Sequence, residues 1–413
     1  MTEHSNARLE PLDIDNDPAA YLALHDKLDE PAVDALLSKR EREIRHRARE
    51  IVAREVAPRA DRADRTHEFA HESVQALLSA GLGGLIFPEH LGGLGDTNVA
   101  YAVAMEEVTA GCGATSLIFM TQMHAAYPIL LAGSDELAQQ YIPGLLDGTR
   151  YGALGITEPN AGSDVSSLRT TAVAEQDGYL LNGSKTFITT GDRADVIICF
   201  ATTDRSLGRR AITPFVVEGG WEGVGHGAPF RKLGMHGSST AELFFDNVRV
   251  PARNRLGSEG GGWQVVMNSV TKSRISAAAQ GVGLARAAYA RTLALLTRIH
   301  GRKLPDEKLF ALADMRGAIV QGRLLLHAVA RHVDSADDVP RAEIGIMKQC
   351  CTDLGWQTAV AATRLLGPYG DLATLGVERC LRDAKVTQIY DGTNEIQRLL
   401  IGRETTRALE KLA

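Results

Sequence analysis

Aromatic residues make up only 5 % of the 413-residue chain, too few for a platform on which nucleic-acid bases stack. Positive charge is also short. Fifty-one acidic against 45 basic residues leave a net charge of −6, which argues against a general nucleic-acid binder. The five cysteines (Cys112, Cys199, Cys350, Cys351 and Cys380) are an odd number without metal-ligand spacing. They read as reduced thiols of a cytoplasmic protein, with no disulfide framework and no metal centre. No HExxH zinc pair, GxSxG elbow or EF-hand loop occurs. Gly178–Lys185 has the outline of a P-loop, but Ser184 precedes Lys185 and the run continues as a strand. Gly281-Val-Gly283 follows no strand, so it is no dinucleotide turn. The polar, acidic first residues carry no signal- or transit-peptide pattern. Thr109–Ser134 lacks Asp, Glu, Lys and Arg, yet Gly111, Gly113, Gln122, His124 and Pro128 break the apolar run that a bilayer span requires. A buried helix-loop-helix is expected there, and no contact with a membrane.

What is present is an ordinary globular composition, 44 % apolar and 23 % charged, with length for two or three domains. Residues 1–32 form an acidic, Pro-containing arm without periodicity. Leu37, Ile44, Ala48, Ile51, Val52 and Val56 then recur at helical intervals until Pro58, which reads as the stop. Further helices are expected over Glu72–Ala80, Thr97–Thr109 and Ser134–Leu146, giving a helical domain over 33–151. Short β-branched runs follow at Thr170–Glu175, Tyr179–Leu181, Lys185–Thr189, Val196–Phe200, Ile212–Glu218 and Ala241–Val250. Asp177-Gly178 and Asn182-Gly183 read as hairpin turns, so 152–258 is expected to be an antiparallel β domain. Long helical patterns return from Trp263 and fill 259–413 with a four-helix-type bundle. The fold class is α+β.

Two segments carry candidate chemistry. Gly155–Ser167 (GITEPNAGSDVSS) exposes backbone N–H groups and hydroxyls with little Cβ obstruction, which suits flavin ring atoms or phosphate oxygens. From the residues alone it could equally be a polar turn between domains. Arg382–Arg398 (RDAKVTQIYDGTNEIQR) is helical except at Asp391-Gly392, which sets a carboxylate at a helix junction beside free amides. A carboxylate there can take a proton while an N–H polarises a carbonyl. A helix cap with an ordinary exposed Asp is the other reading.

Both segments resemble the signature motifs of the acyl-CoA dehydrogenase family, and Phe187-Ile-Thr189, Phe87–Gly95 and Leu312-Ala-Asp-Met315 match at compatible spacing. The resemblance spans about residues 35–413 and implies a helix–β–helix flavoprotein that desaturates an acyl thioester. A carboxylate removes the α-proton while flavin N5 accepts the β-hydride. It implies FAD, an acyl-CoA or acyl carrier protein substrate, an electron-transfer flavoprotein as acceptor, and a homodimer or homotetramer. Asp391 would be the catalytic base. Leu154, Ile156, Thr157, Ser163, Phe187, Ile188 and Thr189 would border the flavin, and Thr393 and Glu395 would hold it from the second motif. Arg298, Arg364 and Gly367 would meet the cofactor across a subunit interface. Ser163, Arg274, Tyr390 and Gly392 would line the substrate, with Met120, Met123, Tyr127 and the Thr97–Glu107 helix as further wall candidates. The family usually has Glu where this chain has Asp391. At the family's alternative base position stands Ser273, and the adenine-end motifs appear altered as Arg298-Ile-His300-Gly301 with Lys308, and Arg364–Gly370. The departures keep two relatives of the activity in play: a flavin oxidase acting on a small acidic carbon such as a nitroalkane, and a non-catalytic acyl-binding subunit.

Overall fold

A computed structural model describes residues 31–301, 303–336 and 341–410; all of the expected acidic arm but residues 31 and 32 lies outside them. The first helices are α1 (Pro31–Asp34), α2 (Lys39–Ile51) and α3 (Ala57–Thr66). Ser38 starts α2 with a reciprocal cap, its hydroxyl accepting from Glu41 N–H while Glu41 accepts from Ser38 N–H. Pro58 does not end the helix as expected. A widened turn at Val52–Val56 lets Ala57 N–H reach Val52 C=O, so Pro58 falls in the first turn of α3, where no N–H is needed.

Four helices complete this half: α4 (His71–Ser79), α5 (Asn98–Gly111), α6 (Gly113–Ala132) and α7 (Asp135–Asp147). The uncharged stretch is the end of α5, a break at Cys112 and all of α6, as expected. Such a helix, apolar on all sides, must be surrounded. α6 packs between α8 (Gly262–His300) and the first strand. Among the described residues no helix is long and apolar enough to cross a membrane.

Seven strands follow: β1 (Gly152–Gly155), β2 (Thr171–Glu175), β3 (Gly178–Thr189), β4 (Val196–Thr202), β5 (Ile212–Glu218), β6 (Val224–His226) and β7 (Thr240–Pro251). They form one sheet in the order β1-β4-β2-β3-β7-β6, with β5 also on β4. The β2–β3, β3–β7, β6–β7 and β4–β5 pairs are antiparallel, but β1 joins β4 in parallel. Asn182-Gly183 is not a turn: β3 runs through it with a register shift against β7. Gly183 sits at φ 150°, and a Cβ there would lie 2.5 Å from Thr170 Oγ1, so a bulge meets the conditions that suggested a hairpin.

The bundle comprises α8, α9 (Asp306–Ser335), α10 (Arg341–Leu366), α11 (Val377–Thr387) and α12 (Asn394–Glu410). α8 and α10 cross at two glycines. A Cβ on Gly281 would lie 2.2 Å from Cys351 O, and one on Gly355 would lie 2.6 Å from Gly281 O. Only a pair of bare backbones fits this closely. A buried ion network ties the bundle to the first half. Glu106 of α5 meets Arg286 (3.2 Å) of α8 and Arg323 (3.0 Å) and His327 (2.6 Å) of α9, while Glu107 meets Arg49 (2.8 Å) and Arg286 (2.9 Å).

Two outcomes follow from these contacts. Gly281→Ala should destabilise the protein by about 1–3 kcal/mol in denaturant unfolding, although Ala is the better helix former by about 1 kcal/mol. The added methyl group meets main chain and cannot rotate away. The Arg323 and His327 contacts outweigh burial and hold the Glu106 carboxyl down at about 2. A depressed carboxylate adds stability above its ordinary pKa near 4.5, and that stability drains away as pH falls from there towards 2. Acid unfolding of wild type should therefore develop over that window, and Glu106→Gln should flatten it.

Candidate active site

Asp391 and Gly392 occupy the left-handed region, at φ 55° and 85°. Glycine adopts this geometry freely and Asp is among the few residues that tolerate it. The chain leaves α11, turns back on itself and enters α12, where Thr393 Oγ1 accepts from Ile396 N–H at 3.3 Å. The expected helix junction is therefore present.

Both neighbouring long helices hold this turn by its carbonyls. Arg274 of α8 donates through Nε to Asp391 O at 3.3 Å. Lys348 of α10 donates through Nζ to Gly392 O at 3.0 Å and to Asn394 Oδ1 at 2.9 Å. Gln397 of α12 donates to Gly392 O at 2.9 Å. Asn394 in turn donates to Asp353 Oδ1 at 2.7 Å. Arg274 and Lys348 each lie seven residues before a crossing glycine, about 10 Å along its helix. The close crossing thus sets the spacing of the two cations. Burial pushes Lys348 down to about 8, with the Asp391 charge acting the other way. Burial also lowers Arg274, again opposed by Asp391.

With its carbonyl so occupied, Asp391 keeps two groups free for chemistry. Its buried Oδ2 has no hydrogen-bond partner among the described residues. Among the described residues nothing accepts from its main-chain N–H. The Asp391 charge also acts on Tyr101 of α5 and His124 of α6, so it is felt by α5 and α6 as well as by α8 and α10. Tyr101 hydrogen-bonds Ser276 at 2.9 Å, and Tyr390 donates to Gln280, which donates to Ser116 at 2.9 Å. Met120 and Met123 are buried, and Tyr127 is half-buried under Lys272 Nζ.

The first motif is built around a buried ion pair. Lys185 Nζ meets Glu158 Oε1 at 2.7 Å and donates to Ile156 O at 3.2 Å and Phe200 O at 2.6 Å. Glu158 also accepts from Arg169 N–H and Thr170 N–H, at 2.5 and 2.9 Å. Thr186 N–H donates to Thr157 O at 2.9 Å, so the loop is stitched to β3. Leu154, Ile156, Thr157 and Thr189 are half-buried, Ile188 is buried and Ser163 is exposed. Phe187 stands out. It is left-handed at φ 57° and 67 % exposed, with Phe230 as its ring neighbour at 5.2 Å. An aromatic side chain held open in a strained backbone marks a ligand face.

The structure therefore gathers Asp391, Gly392, Arg274 and Tyr390. Arg298, at the end of α8, and Arg364 and Gly367, at the end of α10, are all exposed, and no described contact joins them to Asp391. Glu395 is exposed on α12. Sequence reasoning missed Lys348, Asn394 and Glu158, since a buried Lys or Asn on a helical run looks like any surface residue until its partners are known.

Comparison with known proteins agrees along most of the chain. The family descriptions "Acyl-CoA dehydrogenase, N-terminal domain", "middle domain" and "C-terminal domain" match residues 38–149, 153–248 and 260–406. An acyl-CoA dehydrogenase of Bacillus subtilis is 40 % identical over 366 residues, 87 % of this chain and 96 % of that protein. Butyryl-CoA dehydrogenase of Megasphaera elsdenii superposes with a TM-score of 0.85 at 34 % identity, over 90 % of this chain and 99 % of that one. A structure of PigA with FAD and proline superposes with a TM-score of 0.85 at 26 % identity, over 90 % and 98 %.

Lys348→Met should leave the bundle folded but release the turn. Losing a charge-assisted hydrogen bond costs about 1.5 kcal/mol, so amide exchange over residues 389–394 should quicken roughly tenfold while α8 stays protected.

Proposed function

The chain belongs to the acyl-CoA dehydrogenase family, and from that premise we propose that it desaturates an acyl thioester with Asp391 as the catalytic base. The observation that supports this reading is the pairing, on one residue, of an unpartnered buried carboxylate oxygen and an unpartnered main-chain N–H. The enzyme is an FAD-dependent oxidoreductase. The open Phe187 ring fits a flat aromatic cofactor, with Leu154, Ile156, Thr157, Ser163, Ile188 and Thr189 as the residues of this chain that would border it. Thr393 and Glu395 would hold it from the second motif. FAD supplies the acceptor for the β-hydride when bound.

The protein's own task is the α-proton. An α-hydrogen beside a thioester is barely acidic in water, so negative charge developing on the carbonyl oxygen must be stabilised. The Asp391 N–H is placed to donate to that oxygen, and its carboxylate to take the proton. Arg274, Lys348 and Gln397 contribute by fixing the main chain that carries both groups. The buried residues of α5 and α6 would keep water from the reacting atoms, which would strengthen each of these interactions. The side chain is one methylene shorter than the family's usual Glu, and a misplacement of about 1 Å can cost ~10²-fold in rate. An α-branched, cyclic or carrier-bound acyl group, whose α-carbon approaches differently, would suit the shorter reach.

In the proposed assembly the chains form a homodimer or homotetramer, with Arg298, Arg364 and Gly367 of one subunit meeting the pyrophosphate of the next subunit's cofactor. An electron-transfer flavoprotein takes the electrons onward. Free thiols at all five cysteines suit a cytoplasmic setting, and membership of the family suits a role in fatty acid metabolism.

The purified protein should be yellow, and its flavin absorbance should bleach anaerobically with a suitable acyl-CoA. Asp391→Asn, which tolerates the left-handed backbone equally well, should keep FAD and lose bleaching by at least about 10³-fold. Unchanged bleaching in that variant removes Asp391 from the reaction. Hydrogen peroxide without added acceptor assigns an oxidase instead, and colourless protein that takes up no FAD assigns a binding subunit.

A further inference from the structure

α6 turns Ser116, Met120, Met123, His124 and Tyr127 to one side, within about 100° of helix circumference. Two contacts show that this side faces α8: Gln280 Nε2 donates to Ser116 Oγ at 2.9 Å, and Lys272 Nζ lies 5.7 Å from the Tyr127 ring centre. His124 belongs to the same face, between those two anchors. The opposite side meets β1, where Gln122 Oε1 accepts from Gly152 N–H at 3.0 Å.

His124 is 7 % exposed, and among the described residues its buried Nε2 has no hydrogen-bond partner. A core position among Met120, Met123 and Ile129 would be filled at no such cost by leucine. Burial pushes the imidazole pKa down, and the Asp391 charge acts on it in the other direction. The ring is therefore neutral near pH 7, and its face of α6 is joined through Ser116 and Gln280 to Tyr390, the chain neighbour of Asp391.

Resting on the dehydrogenase reading, we propose that His124 Nε2 hydrogen-bonds the acyl group, and that the preferred thioester carries a hydroxyl or carbonyl oxygen beyond its reacting carbons. A plain hydrocarbon would leave Nε2 unsatisfied in the complex.

The test compares isosteric CoA thioesters in anaerobic flavin reduction: 4-hydroxybutanoyl against pentanoyl, and 5-hydroxypentanoyl against hexanoyl. The FAD-loaded wild type should favour the hydroxyl member of at least one pair by about tenfold in kcat/KM. His124→Leu should invert that preference while FAD content and melting temperature hold. A wild-type ratio near one in both pairs overturns the inference without recourse to any variant, and so does a ratio that His124→Leu leaves unchanged. Reduction by the alkyl thioesters alone overturns the inference but upholds the dehydrogenase reading. If no thioester, polar or apolar, reduces the flavin, both fall.

Discussion

A carboxylate can act as a base on a weak carbon acid only if its backbone does not move, and here the backbone is pinned by cations rather than by secondary structure. Arg274 and Lys348 reach from parallel stretches of α8 and α10 to successive carbonyls at 391 and 392. Their spacing rests on the bare crossing at Gly281 and Gly355. Charge-assisted hydrogen bonds to main-chain oxygens are stronger than neutral ones, and in a buried place they are hard to break. They use up the carbonyl side of the turn and leave its N–H and carboxylate free.

The site is correspondingly under-satisfied. Asp391 Oδ2 and His124 Nε2 each forgo a partner, at a cost of about 1–3 kcal/mol apiece. Native cores seldom tolerate such atoms without reason. The surrounding structure offsets the expense through the Glu106 network, the Lys185–Glu158 pair and a continuous apolar core that runs from α2 through α6 into the bundle. These stabilising groups lie away from the reacting atoms.

Much of this was legible in the residue order. An Asp-Gly pair inside a helical run announces a break, because few other pairs accept two left-handed residues in succession, and the break is where it was expected. The uncharged run before Ser134 announces a helix enclosed on every side. Other features depend on partners distant in sequence. Pro58 looked like a stop because the widened turn at Val52–Val56 has no residue signature of its own. Asn182-Gly183 serves a bulge as readily as a hairpin, and only pairing with β7 chooses between them. The parallel join of β1 to β4 and the three-residue strand β6 carry no local pattern. Lys348 and His124 look ordinary on their helices until burial strips them of water.

For Asp391 to act as the base, its carboxylate must lie against the α-carbon of a bound thioester. A crystal structure of the protein with FAD and a non-reducible acyl-CoA analogue would show this. An Asp391 carboxylate oxygen should lie about 3–3.5 Å from that carbon, with the Asp391 N–H in hydrogen-bonding range of the thioester oxygen. A carboxylate turned to solvent, or another acidic side chain in its place, would contradict that role.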